Sequence, residues 1–545
     1  MFAFLIVTLI AMKKILLISF VFSQLAAYAQ QDAWVYFNQK ENVQASIDNP
    51  ISILTQQSID RKNSHGIVID ERDVPVNEGY ITMIKAPETG VTVFAKSKWF
   101  NSVYVRGSEE DINALVDSFD FVAAVDFADA SLNILRIDVS EDKFLIENTE
   151  VSFNYGDTQN QVEMINANAL HLQDYTGEGI IVAVLDSGFP NVDTMGAFQR
   201  LRDNGDLVGG YDFVRRDDNV HAFTGNDHGT KVLSNMAGFI QDQFVGTAPD
   251  ASYYLFLTED VSSETPVEEA YWVEAAERSD SLGVHIINTS LGYKTYQNPN
   301  YSHTDADLNG STTFITRGAN IANEKGILVV TSAGNSGSSG VGAPADATGV
   351  LTIAAVDADE NYATFSSQGS AFQATQKPDV AARGVAAFVV DDTNSIVTNN
   401  GTSFSSPIMA GGIASLWQAF PQATNEEIKD YVRLSASQFT TPDFFIGYGI
   451  PDLQLALDLG LSLQEEALFE FKVYPNPATD ILNIQRPSAN EITTLRIFDV
   501  LGKSVLEQDI TESSRQLDIS AMAPGLYIMY FQSGNASKTF KLIKS

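Results

Sequence analysis

Three hydrophobic patterns divide this chain. Near its start, apolar positions come in short extended runs: Ala33 to Phe37, residues 89–97, residues 99–106 and Phe121 to Phe127. Helical patterns lie between them, over 50–65 from Pro50 and again from Ser108, where Glu109, Glu110 and Asp111 suit the positive end of a helix dipole. The order βαββαβ predicts a small ferredoxin-like α+β unit. From about residue 155 the pattern changes. Continuous apolar runs (Ile180 to Leu185, Ala251 to Leu257, Val284 to Thr289, Ile327 to Thr331, Val350 to Val356) alternate with helical stretches such as His228 to Phe239 and Pro266 to Asp280. Such runs are strands buried on both faces, so the middle predicts an α/β domain with a mainly parallel sheet flanked by helices. Glu465-Glu466-Ala467 reads as a polar linker. After it, Leu482 to Ile484, Thr494 to Phe498, Gln516 to Ile519, Leu526 to Phe531 and Ser537 to Ile543 alternate, with turns at Leu501-Gly502-Lys503 and Pro524-Gly525. That spacing predicts a small β-sandwich.

The first residues follow another logic. Met12-Lys13-Lys14 precedes the apolar run Ile15 to Phe22 and the small-residue site Ala27-Tyr28-Ala29. This is the pattern of a secretory signal peptide over 1–29, with the true start expected at Met12. Lys13 and Lys14 interrupt the apolar stretch, and each half is short of the ~20 residues a span needs. No stable transmembrane span is expected. The divisions are then 1–29, 30–150, 155–460 and 471–545.

Composition narrows the function. The 545 residues carry 33 Lys+Arg against 69 Asp+Glu, a net charge of −36, and no cysteine. Nearly all the excess acidity sits between residues 31 and 466. A chain this negative repels the phosphates of nucleic acid and of an anionic membrane surface. Without cysteine there is no disulfide scaffold, no thiolate nucleophile and no Cys-ligated zinc.

Four short segments stand where the α/β strands end, the edge at which such sheets place their sites. Asp186 ends the first run. His228 opens a helix in Asn226-Asp227-His228-Gly229-Thr230. Asn335 follows Ser332-Ala333-Gly334, and Ser403 lies in Gly401-Thr402-Ser403-Phe404-Ser405-Ser406-Pro407. The helix after Ser403 is apolar all round and should be buried at the centre. A serine hydroxyl is a weak nucleophile that needs a base, an imidazole suits that task, and a buried carboxylate fixes the imidazole tautomer. A side-chain amide can donate to the oxyanion of a tetrahedral intermediate, and losing such a donor costs roughly 3 kcal/mol. The chain order Asp, His, Ser and a Gly-x-Ser-x-Ser nucleophile segment both depart from the α/β-hydrolase pattern.

With Ala183-Val184-Leu185-Asp186-Ser187-Gly188, His228-Gly229-Thr230, Ser332-Ala333-Gly334-Asn335 and the Ser403 segment, the chain resembles the subtilisin-like serine proteases (subtilases, family S8) over roughly 155–460. The resemblance implies that Asp186 orients, His228 acts as general base and then acid, Ser403 attacks and Asn335 helps form the oxyanion hole. It implies a subtilisin-like sheet, a secreted serine endopeptidase acting on proteins or peptides, and no cofactor for the chemistry. The reading kept beside it is a catalytically inactive subtilase-fold protein that binds surfaces. Phe404 stands where the family most often has Met. Residues 30–150 resemble in layout the family's propeptide, which assists folding and caps the site; the cut is expected somewhere in 128–160, and a permanent accessory domain is the alternative. Ser290, Leu291 and Gly292 resemble the family's substrate-binding strand, which pairs with the peptide backbone. Gly342, in the stretch that walls the S1 pocket, suggests a preference for large apolar P1 residues.

Two further motifs remain. Asp305, Asp307 and Asn309 match the start of a calcium loop, so structural calcium is an expectation, although position 12 is Thr316 rather than Glu and the segment also reads as a turn before a helix from Ser311. Tyr474-Pro475-Asn476-Pro477-Ala478-Thr479-Asp480, Pro524-Gly525-Leu526-Tyr527 and the end Lys541 to Ser545 resemble the sorting domain of the type IX secretion system of Bacteroidetes. That implies export across both membranes with the type IX machinery as a partner, to the cell surface or the medium.

Overall fold

The computed structural model describes residues 30–132, 153–469, 472–485, 493–499, 503–510, 514–533 and 536–545. The expected signal peptide, including Met12, most of the expected cutting region and the turn at Leu501-Gly502 lie outside these residues. The chain forms two compact units, up to Ala456 and from Leu457.

The first unit opens with a four-stranded antiparallel sheet made of β1 (Gln30–Phe37), β2 (Thr92–Ser97), β3 (Ser102–Ser108) and β4 (Val122–Phe127), in the order β2-β3-β1-β4. The ferredoxin-like expectation fits this order. The connection from β1 to β2 is richer than expected. In place of one helix over 50–65 it carries a 3-10 turn at Pro50–Ser52, α1 (Gln56–Ser64) capped by Thr55, and α2 (Glu78–Ile84) capped by Asn77. The α3 helix (Glu109–Ser118) starts where the acidic first turn predicts, with Ser108 accepting from the Asp111 N–H.

Strand β1 has no polar face, and its surroundings explain why. Ala33, Val35 and Phe37 face a core shared with Ile81, Ile84, Ile112 and Leu115. Trp34, one residue out of phase, faces the next domain, where its ring stacks on Phe314 at 4.8 Å. A sheet buried on both sides needs apolar residues at every position.

That next domain is built on a seven-stranded sheet with every pairing parallel. Its strands are β5 (Ile181–Asp186), β6 (Leu207–Asp212), β7 (Ser252–Leu257), β8 (Ile286–Thr289), β9 (Leu328–Ser332), β10 (Leu351–Val356) and β11 (Val380–Arg383), ordered β11-β10-β9-β8-β5-β7-β6. The two strands the pattern did not reveal are the edges. β6 contains Gly209-Gly210, and β11 is short, rich in alanine and follows Lys377-Pro378. Neither has the bulky apolar run of a central strand: β6 is largely exposed or half-buried, and β11 is buried but built on small alanines. The helices are α4 (His228–Ala237), α5 (Val267–Leu282), α6 (Phe314–Glu324), α7 (Thr402–Gln418) and α8 (Asn425–Leu434). The α6 helix starts at Phe314 with Thr313 as its cap, three residues after the expected Ser311. The α7 helix is buried along its length, as its uniformly apolar sequence predicts.

The N-terminal sheet rests on α5 and α6. Glu277 of α5 accepts from the backbone N–H groups of Lys98 (2.8 Å) and Trp99 (3.0 Å) and from the Ser97 hydroxyl, capping the turn between β2 and β3. The residues read as a linker, Glu465-Glu466-Ala467, are helical instead, inside Leu453–Phe469. Leu, Glu and Ala favour helix, and only Gly460 interrupts the stretch. The second unit is two antiparallel sheets, one of Lys472–Tyr474, Ile481–Gln485 and Ser514–Asp518, the other of Ser504–Ile510, Thr493–Asp499, Gly525–Ser533 and Ala536–Lys544. Leu482, Ile484, Leu495, Ile497, Met529, Phe531 and Leu542 fill its core. Tyr474 lies outside that core and is exposed. No helix among the described residues is long and apolar enough to cross a membrane.

One packing contact tests the central helix. A Cβ on Gly411 would lie 2.1 Å from Thr247 Oγ1, whose hydroxyl donates to the Ile408 carbonyl at 3.0 Å. Gly411→Ala, compared by chemical denaturation in a Ser403→Ala background, should lose about 1–3 kcal/mol of stability. An unchanged midpoint would show that α7 can shift freely.

Candidate active site

Three chain segments meet at the carboxyl ends of β5, β8 and β9. Asp186 closes β5 and has no exposed surface. Its Oδ1 accepts from the Ser187 N–H at 2.7 Å and from His228 Nδ1 at 2.7 Å. Asp186 Oδ2 is buried and has no hydrogen-bond donor among the described residues. His228 starts α4, where the Asn226 side chain accepts its backbone N–H at 2.8 Å.

Two motif glycines let these segments touch. A Cβ on Gly229 would lie 2.6 Å from the Gly188 carbonyl oxygen and 3.0 Å from Asp186 Cβ. A Cβ on Gly188 would lie 2.4 Å from the Asn226 carbonyl oxygen. Larger residues would hold the N-terminus of α4 away from the strand end, and the imidazole with it.

Ser403 lies in the first turn of α7, behind Gly401 at φ +151°. Its hydroxyl donates to the Ser290 carbonyl at 3.4 Å, and the Ser290 hydroxyl donates to the Ser403 carbonyl at 2.9 Å. No hydrogen bond joins Ser403 to His228 among the described residues. The Phe404 ring lies 5.8 Å from the imidazole. Asn335 Oδ1 accepts from Thr402 N at 2.9 Å and Thr402 Oγ1 at 3.0 Å. This pair of donors fixes the amide, and its NH2 is left facing the Gly401 turn, 3.5 Å from where a Cβ would stand. Thr402 and Asn226 were not singled out in the sequence. Both are neighbours of motif residues whose own roles drew attention away from them.

Ser290, Leu291 and Gly292 line a cleft of about 500 Å³ together with His228, Ser187 and Asn226. Gly342 is not among its lining residues. It sits beside Ala343, which exchanges backbone hydrogen bonds with Tyr293, and a Cβ on Gly342 would lie 3.0 Å from the Tyr293 carbonyl oxygen. The far wall of the cleft is acidic: Glu259, Asp260, Glu264 and Glu268. Burial raises the Glu259 carboxyl to about 8 and the Glu268 carboxyl to about 9; the charges of Glu264 and Asp186 raise Glu259 further, and those of Glu259 and Glu264 raise Glu268. No ion pair reaches Glu259, Glu264 or Glu268 among the described residues. The acidic run after Leu257 was visible in the sequence, but nothing there placed it beside the histidine.

The calcium expectation meets donors already in use. Asp305 pairs with the Lys294 ammonium at 2.6 Å, Asp307 accepts from the Thr304 N–H and hydroxyl, and Asn309 Oδ1 accepts from Ser311 and Thr312. A loop with a lysine on its first carboxylate and its other oxygens turned to local donors does not fit a divalent cation. Among the described residues no group of three or more His, Asp or Glu is placed to hold a metal ion. The remaining histidines are structural. His303 pairs with buried Glu269 at 2.7 Å, and His171 bridges Tyr155 and the Thr247 carbonyl.

The chain has counterparts among known proteins. Residues 177–449 match the Subtilase family, residues 32–144 the Peptidase S8 propeptide domain of Bacteroidota, and residues 472–545 the Secretion system C-terminal sorting domain. Subtilisin DY of Bacillus licheniformis is 30% identical over 301 residues, covering 54% of this chain and 97% of that protein. Subtilisin E of Bacillus subtilis is 32% identical over 300 residues, covering 54% of this chain and 70% of that protein. The thermostable alkaline protease of Halalkalibacterium halodurans is 30% identical over 285 residues, covering 52% and 69%. The chain belongs to the subtilase family of serine proteases, with a propeptide domain before the protease and a sorting domain after it.

Burial works against the charged form of His228, but the Asp186 carboxylate outweighs it through charge and hydrogen bond, and the imidazole is raised above its ordinary value near 6.5. A raised histidine stabilises the fold in its protonated form. That contribution is complete below about pH 6.5 and is lost as pH rises through the raised value. NMR titration should find His228 above 6.5 and shifted down by a unit or more in Asp186→Asn, where one unit is about 1.4 kcal/mol. Equal values in the two proteins would remove Asp186 as the cause.

Proposed function

We propose that this protein is an exported serine endopeptidase. The observation that carries the reading is the 2.7 Å bond from His228 Nδ1 to buried Asp186, which leaves Nε2 as the imidazole's free nitrogen. In the proposed cycle a peptide lies along Ser290–Gly292. His228 Nε2 takes the Ser403 hydroxyl proton as Oγ bonds to the scissile carbonyl carbon. The oxyanion that forms accepts from the Asn335 amide and from the Ser403 backbone N–H, which has no intrahelical partner in the first turn of α7. His228 then gives its proton to the departing amine. The C–N bond breaks, and an acyl-enzyme on Ser403 remains. Water, deprotonated by His228, hydrolyses the ester and restores the serine. Asp186 keeps the imidazole in the right tautomer and stabilises its cation throughout. Calcium has no part in this cycle.

The acidic wall narrows the substrate. Glu259 and Glu268, raised to about 8 and about 9, are largely neutral at pH 7, and a cation that arrives with the substrate favours their ionised form, the more so as water leaves. The acyl side of preferred substrates should therefore carry Lys or Arg in the residues that pass this wall. The expectation of a large apolar residue at P1 rests on the resemblance alone, because Gly342 does not line the cleft and a side chain there would meet the Tyr293 carbonyl. The sorting tail indicates export. We infer that the route is the type IX machinery, with the tail removed on the way to the surface or the medium.

Ser403→Ala should abolish labelling by a fluorophosphonate and lower kcat about a millionfold, the scale of this loss in the related subtilisin. Asn335→Ala should lower kcat about 100- to 1,000-fold with little change in KM, again on the subtilisin scale. A wild-type mature protein that takes no label would favour the inactive, surface-binding alternative. Because the base must be neutral, kcat/KM should fall as pH drops through a value above 6.5. A positional peptide library should show basic residues preferred about tenfold or more on the acyl side, with the preference reduced in Glu259→Gln. A profile led by acidic residues there would contradict the role of the wall.

A further inference from the structure

Besides contacts made by Arg216, Asn300 and Tyr301, the N-terminal domain touches the protease at two larger places. One is the sheet on α5 and α6, with Glu277 capping the β2–β3 turn. The other belongs to the long β1–β2 connection, and it is built from charge. Helix α1 presents Arg61 and Lys62 to Asp280, near the C-terminal end of α5. Arg61 Nη2 lies 2.7 Å from Asp280 Oδ1, and Lys62 Nζ lies 2.8 Å from the same oxygen and 3.1 Å from Asp73 Oδ1. Lys325, just past the end of α6, returns the contact, with its ammonium 2.7 Å from Asp73 and 3.0 Å from Asp70. The side chains of Arg61, Lys62, Asp73, Asp280 and Lys325 are each 2% exposed or less.

The backbone joins in. Arg61 Nη1 donates to the Lys325 carbonyl at 2.7 Å, the Ser58 hydroxyl to the Asp280 carbonyl at 2.7 Å, and the Thr55 N–H to the Ser281 carbonyl at 3.0 Å. These carbonyls belong to the last turns of α5 and α6, where helix carbonyls lack partners and the dipole is negative. Two cations and two donors from one short segment thus close both helix ends. A Cβ on Gly326 would lie 2.2 Å from Ile67 Cδ1, so the segment fits against this turn with no room to spare.

We propose that residues 55–73 form an ionic clamp that holds the propeptide domain on the protease independently of what occupies the active-site cleft. The proposal rests on the reading of the protein as a protease that is freed from its propeptide. The clamp makes the cut between the domains insufficient for release. The severed propeptide stays seated because leaving breaks four ion-pair contacts across the interface at once, Arg61 and Lys62 with Asp280 and Lys325 with Asp70 and Asp73. Burial also keeps the clamp from being loosened by salt, which screens exposed pairs far more than buried ones.

The test needs no catalysis by the protein, so its failure stands apart from failure of the protease reading. A recognition site for a foreign protease is placed within residues 133–152 of the full chain carrying Ser403→Ala. The chain is cut there, and loss of the propeptide from the immobilised protease is followed over time. The cut complex should persist, at equal rates in 0.05 M and 0.5 M NaCl. Arg61→Met in the propeptide and Asp280→Asn in the protease should each speed release on the order of a hundredfold. The two together should be no faster than Asp280→Asn alone, since Arg61 is then not left without its carboxylate and Lys62 keeps Asp73. Lys96→Met, at an exposed pair with Glu78, should change the rate less than about threefold. Release of both single variants at the parent rate would overturn the clamp. So would additive acceleration in the double variant, which would mark general damage to folding.

Discussion

A carboxylate taken wholly out of water must find partners, and this requirement organises the molecule. At the end of β5 it is met by the Ser187 N–H and the His228 imidazole on one oxygen of Asp186. The histidine is thereby raised and held by its Nδ1 at the strand end. Gly188 and Gly229 belong to the same constraint, because only their missing side chains allow α4 to come close enough for the bond to form. The place of the imidazole in the cleft with Ser290, Leu291 and Gly292 is set by that single contact.

The same requirement recurs wherever the acidic chain buries its charge. Glu277 is satisfied by a turn of the propeptide domain, Asp280 by that domain's Arg61 and Lys62, Glu269 by His303, and Asp379 by Lys377 and Arg433. Glu277 and Asp280 both belong to α5, so a single helix of the protease holds two contacts with the propeptide domain. The cleft wall meets the same requirement without a cation: Glu259 accepts from the Tyr293 hydroxyl and Glu268 from the Asp260 and Thr265 N–H groups, while no ion pair reaches them or Glu264 among the described residues. The excess of negative charge is thus partly an interior property, shared out among folding, docking and recognition.

Much of this was legible from patterns. Continuous apolar runs marked the five central strands because those strands are covered on both faces, and the acidic turn after Ser108 marked the start of α3. Edge strands β6 and β11 escaped notice because neither carries a full run of bulky apolar residues. The Glu465-Glu466-Ala467 segment was misread because polar residues that suit a linker also suit an exposed helix. The loop at Asp305 matched a calcium motif by spacing, and Lys294, eleven residues earlier, occupies its first carboxylate. Short-range spacing cannot see a partner that the chain brings from elsewhere.

The sequence by itself determined the domain order, the parallel sheet and the four residue types at its active edge, because these follow from hydrophobic period and from local motifs that each fold within a few residues. Only the tertiary structure decided what those residues face. It set Thr402 against Asn335, put four carboxylates into one cleft with His228, and brought Arg61 and Lys62 to the ends of helices more than two hundred residues away in the chain. Contacts of that kind depend on how elements pack, and packing is fixed by the whole fold at once.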